Sequence, residues 1–197
     1  MISSGLKKYL LLKLNKKEER EILPSDFDKI EEISLNNADC KTYNVEYDLK
    51  DLMLFKNLKF LSIQNFKIRN YETNIINRIQ SLCAVQMVNC EIISKSTLQN
   101  NIELISFQNC KKLSLYYIRN LKKIKILKVE NCKSINLNKI YVLSSIEKVY
   151  LKNVRIRNIN KVLKLPNLRY INLAESKYSK QFEKNLPQNL EIDKSIL

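Results

Sequence analysis

The thiols of five cysteines are the most reactive groups in this chain, because it contains no histidine. They belong to Cys40, Cys83, Cys90, Cys110 and Cys132. A catalytic thiol needs a base or a helix N-terminus beside it, and the sequence offers neither next to these residues. The spacing of Cys, Asp and Glu does not match a zinc site, and a single glycine leaves no phosphate-binding loop. We therefore expect no enzyme, no cofactor and no metal.

A second set of residues has the composition of a binding surface. It comprises Lys128, Lys148, Tyr150, Lys152 and Tyr170. Aromatic side chains flanked by charge are typical of protein-binding hot spots, and the same residue types can hold a polyanion by stacking and charge. Five scattered positions make one surface only if the fold brings them together, so their function depends on the elements that position them.

One nine-residue pattern recurs four times at a fixed step of 22 residues. The copies are Ile102-Glu-Leu-Ile-Ser-Phe-Gln-Asn-Cys110, Ile124-Lys-Ile-Leu-Lys-Val-Glu-Asn-Cys132, Ile146-Glu-Lys-Val-Tyr-Leu-Lys-Asn-Val154 and Leu168-Arg-Tyr-Ile-Asn-Leu-Ala-Glu-Ser176. Weaker copies begin at Ile30, Leu58 and Leu82, so the steps between starts are 28, 24, 20, 22, 22 and 22 residues. Apolar residues at positions 4 and 6 predict a short strand over positions 3 to 7 with those two side chains buried.

The segments between the strands carry a second apolar set. Leu115, Ile118 and Leu121 follow the copy at Ile102, and Leu49, Leu52 and Phe55 precede the copy at Leu58. Their three-residue steps predict 3₁₀ or short helical turns. The whole pattern predicts an α/β repeat solenoid, curved, with short parallel strands on the concave face and these turns on the convex face.

The domain boundaries follow from the repeats. We expect residues 1–29 to form an N-terminal cap and residues 30–197 to form the repeat domain, with a partial closing strand near 187–192. In the cap, Tyr9, Leu12 and Leu14 fit positions 1, 4 and 6 of a degenerate repeat, and Ser25 or Asp26 fits a helix N-cap. Leu23-Pro24 also resembles the opening of an F-box, an alternative that needs a longer helical run than the cap provides.

The repeats resemble the leucine-rich repeat family over about residues 30–192. Their 22-residue step resembles the class in the regulatory subunit of protein phosphatase 1, which makes a phosphatase one implied partner. Cysteine at position 9, after asparagine at position 8, instead resembles the cysteine-containing repeats common in F-box proteins. We interpret the cysteines as buried free thiols and the asparagines as residues whose amides bond main-chain groups where each strand ends. The asparagines are Asn37, Asn65, Asn89, Asn109, Asn131 and Asn153.

Position 3 gives an outward row on the predicted concave face. It reads Glu32, Phe60, Ala84, Leu104, Ile126, Lys148 and Tyr170. Four consecutive apolar residues would form an exposed stripe, and such stripes mark interaction sites. We predict a partner-binding surface made of Phe60, Leu104, Ile126, Lys128, Lys148, Tyr150, Lys152 and Tyr170. The alternatives are that the N-terminal segment covers the stripe or that this surface has no role.

A non-enzymatic protein-binding module or scaffold, in one form a regulatory subunit, is the favoured function. The alternative is binding of nucleic acid or another polyanion through the basic and aromatic residues, since the net charge is +15. A lysine-rich composition throughout the chain explains the same charge without any function. An odd number of cysteines, and no run long enough for a signal peptide or a membrane span, predict an intracellular protein, cytoplasmic or nuclear, that does not bind membranes.

Overall fold

The computed structural model describes residues 2–39, 46–99, 101–111 and 113–195. The strands, in chain order, are β1 Glu32–Asn36, β2 Phe60–Gln64, β3 Lys67–Ile68, β4 Ala84–Val88, β5 Glu91–Ile92, β6 Leu104–Gln108, β7 Ile126–Glu130, β8 Ser134–Asn136, β9 Lys148–Lys152, β10 Arg155–Arg157, β11 Tyr170–Asn172 and β12 Glu191–Asp193. Eight of them form one parallel sheet in the order β1, β2, β4, β6, β7, β9, β11, β12. Position 3 of each repeat pairs with position 3 of the next, for example Leu104 with Ile126.

Positions 4 and 6 of every repeat fill the interior, as the alternation predicts. All of these side chains are at most 2% exposed, including Phe107 and Leu127 in the middle of the sheet. A single coil cannot bury its apolar face, whereas stacked coils bury it against each other. The result is one continuous hydrophobic core that runs the length of the molecule.

The segments that connect the strands are short helices and additional strand pairs. The 3₁₀ helices among them are Leu49–Leu54, Leu115–Ile118, Ile140–Val142, Ile159–Lys164 and Lys180–Asn185. The 24-residue step from Leu58 to Leu82 contains an α-helix, Asn70–Arg78. Two small parallel pairs, β3 with β5 and β8 with β10, lie in the same connections and were not predicted. The 3₁₀ turns themselves are confirmed.

The cap differs from its prediction, because Tyr9, Leu12 and Leu14 do not form a strand. Residues Ser4–Lys13 form an α-helix, α1, and a helical face is set by i, i+4 spacing. Leu6 and Leu10 therefore enter the core, whereas Leu12 is 75% exposed. The Tyr9 hydroxyl donates to the Glu32 carbonyl, 3.2 Å away, on the edge strand β1.

Two more features complete the cap. The one-turn helix α2, Pro24–Phe27, has Leu23 as its N-cap, so it begins two residues earlier than an N-cap at Ser25 would allow and three earlier than one at Asp26. Asp26 accepts the Leu23 N–H at 2.8 Å. Strand β1 follows five residues later, so the described residues hold no long helical run of the F-box kind.

Gly5 lies where residues 46–47 cross α1, and a β-carbon there would meet the Tyr47 ring at 2.7 Å.

Asparagine ends five of the strands in the left-handed conformation. Asn65, Asn89, Asn109, Asn131 and Asn153 have φ between 48° and 62°. Glu175 takes the same conformation in the last copy, with φ of 56°. Each asparagine N–H also donates to the next coil, as Asn109 does to the Glu130 carbonyl at 3.0 Å. The backbone conformation, more than the side-chain amide, is therefore what these positions share.

The position-9 cysteines are buried free thiols, as predicted. Cys90, Cys110 and Cys132 are at most 4% exposed. Each thiol donates to a main-chain carbonyl of the preceding coil, for example Cys110 to Met87 at 3.2 Å. The Cys90 thiol and burial raise the pKa of Cys110, so this thiol is not activated. Cys40 lies outside the described residues.

Candidate partner-binding surface

The apolar stripe consists of one residue from each of four adjacent strands. Phe60, Ala84, Leu104 and Ile126 lie side by side in register on β2, β4, β6 and β7. All four are partly exposed, because they stand on the outer face of the sheet. Parallel strands lie about 4.8 Å apart, so the stripe is continuous along about 14 Å of rigid sheet.

The basic and aromatic residues continue the stripe. Lys148 follows Ile126 in the same row and Tyr170 follows Lys148. Phe60 and Tyr170 are the outermost of the predicted binding residues in this row, and the five strand spacings between them amount to about 24 Å. The predicted residues thus form an elongated surface and not a compact pocket.

Lys128 contacts Tyr150, and Tyr150 contacts Tyr170, on three neighbouring strands. The Lys128 ammonium lies 5.1 Å from the centre of the Tyr150 ring, within the range of a cation–π interaction. The rings of Tyr150 and Tyr170 are 5.2 Å apart at an angle of 45°. These contacts hold the aromatic side chains in place, so little rotamer entropy is lost when a partner binds.

Sequence reasoning missed an acidic residue beside Tyr170, on the closing strand. The Tyr170 hydroxyl donates to the Asp193 carboxylate at 2.8 Å, and Asn172 donates to the same oxygen at 3.0 Å. The hydroxyl and N–H of Ser195, together with Tyr170, lower the pKa of Asp193 to about 2. Asp193 occupies position 5 of the closing strand, but the incomplete repeat there concealed that position in the sequence.

Negative charge also lies near the remaining lysine of the surface. Lys152 on β9 pairs in register with Glu130 on β7. The surface therefore mixes both signs of charge with aromatic and apolar groups. Such a mixture suits a protein partner better than a uniform polyanion.

The neighbouring position-2 row forms ion pairs at the edge of the same sheet. Lys59 pairs with Glu31 at 2.7 Å, and Lys125 pairs with Glu103 at 2.9 Å. Both pairs are exposed, so each contributes only about 0–1 kcal/mol. They are part of the solvated surface.

Helix α1 lies at the β1 end of the sheet, away from Ile126. Lys8, Tyr9 and Leu12 line a hollow of about 360 Å³ together with Ser34 on β1 and Gln64 on β2.

No group of three or more Cys, Asp or Glu in the described residues is arranged to hold a metal. None of the helices in that part of the chain has the length and apolar character that crossing a bilayer requires.

No protein-family model and no curated protein matches the sequence. Its three-dimensional form is similar to that of internalin C2 from Listeria monocytogenes, with a TM-score of 0.55, 15% identity, and coverage of 98% of this chain and 93% of the other. A second internalin of that organism, InlF, is 10% identical with a TM-score of 0.38, over 98% of this chain and 75% of that one. Internalins are leucine-rich repeat proteins.

The fold is a leucine-rich repeat solenoid. The predicted fold class is thereby confirmed. The similarity to internalin C2 gives no support to the phosphatase-subunit class.

Proposed function

We propose that this leucine-rich repeat protein binds a protein partner on the concave face of its sheet. The observation that carries the proposal is the stripe of Phe60, Ala84, Leu104 and Ile126, partly exposed and in register on four strands. Monomeric proteins seldom expose continuous apolar rows of this kind without a partner. The lysine and tyrosine residues beside Ile126 supply the polar rim and the aromatic contacts of a hot spot.

Ile126→Asp tests this proposal, because it places a charge in the middle of the stripe. We expect the variant to lose the partner and to keep its fold, since the new carboxylate lies beside Lys148, its in-register neighbour. The measurement is affinity capture from the native lysate, with and without nuclease, together with thermal unfolding of the variant. A discrete protein retained after nuclease and lost in Ile126→Asp supports the concave surface.

Ile93→Asp is the matched control. Ile93 is 42% exposed and follows the short strand β5, outside the main sheet. It receives the same chemical change at a site away from the stripe, so capture should be unchanged. Equal capture by Ile126→Asp and the native protein would contradict the placement of the site.

The second candidate is polyanion binding, favoured by the net charge and by the Lys128–Tyr150 contact. Binding through Lys128, Lys148 and Lys152 should weaken steeply as salt rises. Asp193 and Glu130 lie in the same surface and oppose a polyanion. A flat salt response would exclude this candidate.

We also propose that the protein regulates its partner and that it is located inside the cell. A phosphatase partner rests on the 22-residue step alone. The location is supported by four free cysteines among the described residues, although the internalins are secreted or surface proteins. Identification of the captured protein tests the first part, and fractionation of native cells tests the second.

A further inference from the structure

The opposite, convex face carries a groove of about 450 Å³ between two neighbouring connections. Its walls include Tyr116 and Arg119 from one coil and Lys139, Tyr141 and Val142 from the next. Tyr116 and Tyr141 are each 47% exposed and Val142 is 38% exposed, so three large apolar groups face solvent together. We call this set of five residues the convex groove.

The local backbone directs the Tyr116 ring outward into the groove. Tyr116 lies in the 3₁₀ helix Leu115–Ile118, in which Leu115, Tyr117 and Ile118 are buried, so its ring is the one that points outward. The Ser114 hydroxyl accepts the Tyr116 N–H at 3.2 Å and secures the first turn. The guanidinium carbon of Arg119 lies 3.9 Å from the centre of the Tyr116 ring.

The charge of this region is entirely positive. A second hollow, of about 520 Å³, shares Tyr116 and Arg119 and adds Arg78 and Lys95. Neither hollow has an Asp or a Glu in its lining. In the described part of the chain, no carboxylate forms an ion pair with Arg78, Lys95, Arg119 or Lys139. The concave surface differs, because Asp193 and Glu130 lie within it.

We propose that the convex groove docks an acidic peptide segment that carries leucine side chains. The leucines would pack between the Tyr141 ring and Val142, and the carboxylates of the peptide would bond Arg119 and Lys139. Single-stranded nucleic acid fits less well, because Arg119 already covers one face of the Tyr116 ring and Val142 offers no stacking surface. This site is separate from the concave stripe, so both can be occupied at once.

Fluorescence anisotropy with a labelled peptide tests the proposal. The probe is a peptide of about six residues in which glutamates alternate with leucines, which is about 20 Å long when extended and so matches the span of the two hollows. We expect saturable binding that falls by at least about tenfold in Arg119→Glu, because the variant puts a carboxylate against the carboxylates of the peptide. Tyr141→Ala should weaken binding about tenfold by removing the apolar wall.

Three controls separate the groove from the overall charge of the protein. Lys184→Glu makes the same change of charge on an exposed residue of the last 3₁₀ helix and should alter binding by about twofold or less. Ile126→Asp should bind the probe normally, so failure of the concave site and failure of this one are distinguishable. A probe with alanine in place of leucine should bind weakly.

Several outcomes would overturn the proposal. Equal losses in Arg119→Glu and Lys184→Glu would mean that net charge alone attracts the peptide. An alanine probe that binds as well as the leucine probe would remove the apolar part of the argument. Tighter binding of oligothymidylate than of the peptide, lost in Arg119→Glu, would make the groove a polyanion site.

Discussion

Asparagine does at the strand ends of this protein what glycine does in many others. The turn after each strand requires a left-handed residue, and the chain has only one glycine, which it uses in the cap. Asparagine and aspartate adopt that conformation more readily than most other residues with a side chain, because their short polar side chains can hydrogen-bond locally. The last copy has Glu175 at the same position and pays a conformational cost there.

Glu175→Asn should stabilise the protein. We expect a gain of about 0.5–1 kcal/mol in the free energy of unfolding, because asparagine adopts φ near 56° at lower cost than glutamate. Urea denaturation followed by circular dichroism measures the gain. Glu175→Gln removes the charge and keeps the conformational cost, so a similar gain in that control would attribute the effect to charge.

At the scale of the element, the cap depends on one buried carboxylate. Asp26 is 4% exposed and accepts hydrogen bonds from the Lys16 amine, the Leu23 N–H and the Lys29 amine. Lys16 and the Leu23 N–H hold the pKa of Asp26 well below its usual value. The segments before and after α2 are therefore joined through this side chain.

Asp26→Asn should destabilise the cap in a pH-dependent way. A lowered folded pKa means that the carboxylate contributes stability above its unfolded pKa, about 3.9, and loses that contribution as pH falls toward the folded value. We expect the variant to be less stable than the native protein at pH 7 and the two to converge in acid. Urea midpoints at several pH values measure this, with the exposed Asp28→Asn as control. Parallel curves for native protein and Asp26→Asn would contradict it.

The elements also show where sequence reasoning succeeds and where it fails. The alternation of apolar residues in the copies at Ile102 and Ile124 predicted correctly where the strands lie and which of their side chains point inward. A period of two is unambiguous when it repeats at a fixed step. In the cap, Tyr9, Leu12 and Leu14 lie among so many apolar neighbours that helical spacing and repeat spacing both fit, and the degenerate repeat predicted there was wrong because the segment is helix α1.

The surfaces were less predictable than the core. The alignment of the stripe could be predicted from the repeat positions alone, because equivalent positions must lie side by side along a solenoid. Asp193 and the convex groove could not, because they depend on the closing strand and on the turn geometry around Tyr116, which no repeat pattern encodes. The binding role of the predicted residues stays a prediction.

At the scale of the whole molecule, contacts run mainly between neighbouring coils. Each strand of the sheet pairs only with the strands beside it, so stability should be a sum of coil and interface terms along one dimension. A defect in a central coil weakens its interfaces with the coils on both sides. A defect near the end of the solenoid affects only the short segment beyond it. Equal cavities should therefore have different consequences at different positions.

Leu127→Ala and Ile171→Ala test this view of the molecule. Both side chains are 0% exposed, and each truncation should cost about 2–5 kcal/mol. Leu127 lies on the central strand β7, so we expect its variant to weaken amide protection on both sides of the sheet. Ile171 lies on β11, next to the last strand, so its variant should speed hydrogen exchange in β11 and β12 while β1 and β2 stay protected. Identical exchange patterns in the two variants would mean that all eight strands unfold as a single cooperative unit, and that the coils do not act as separate units.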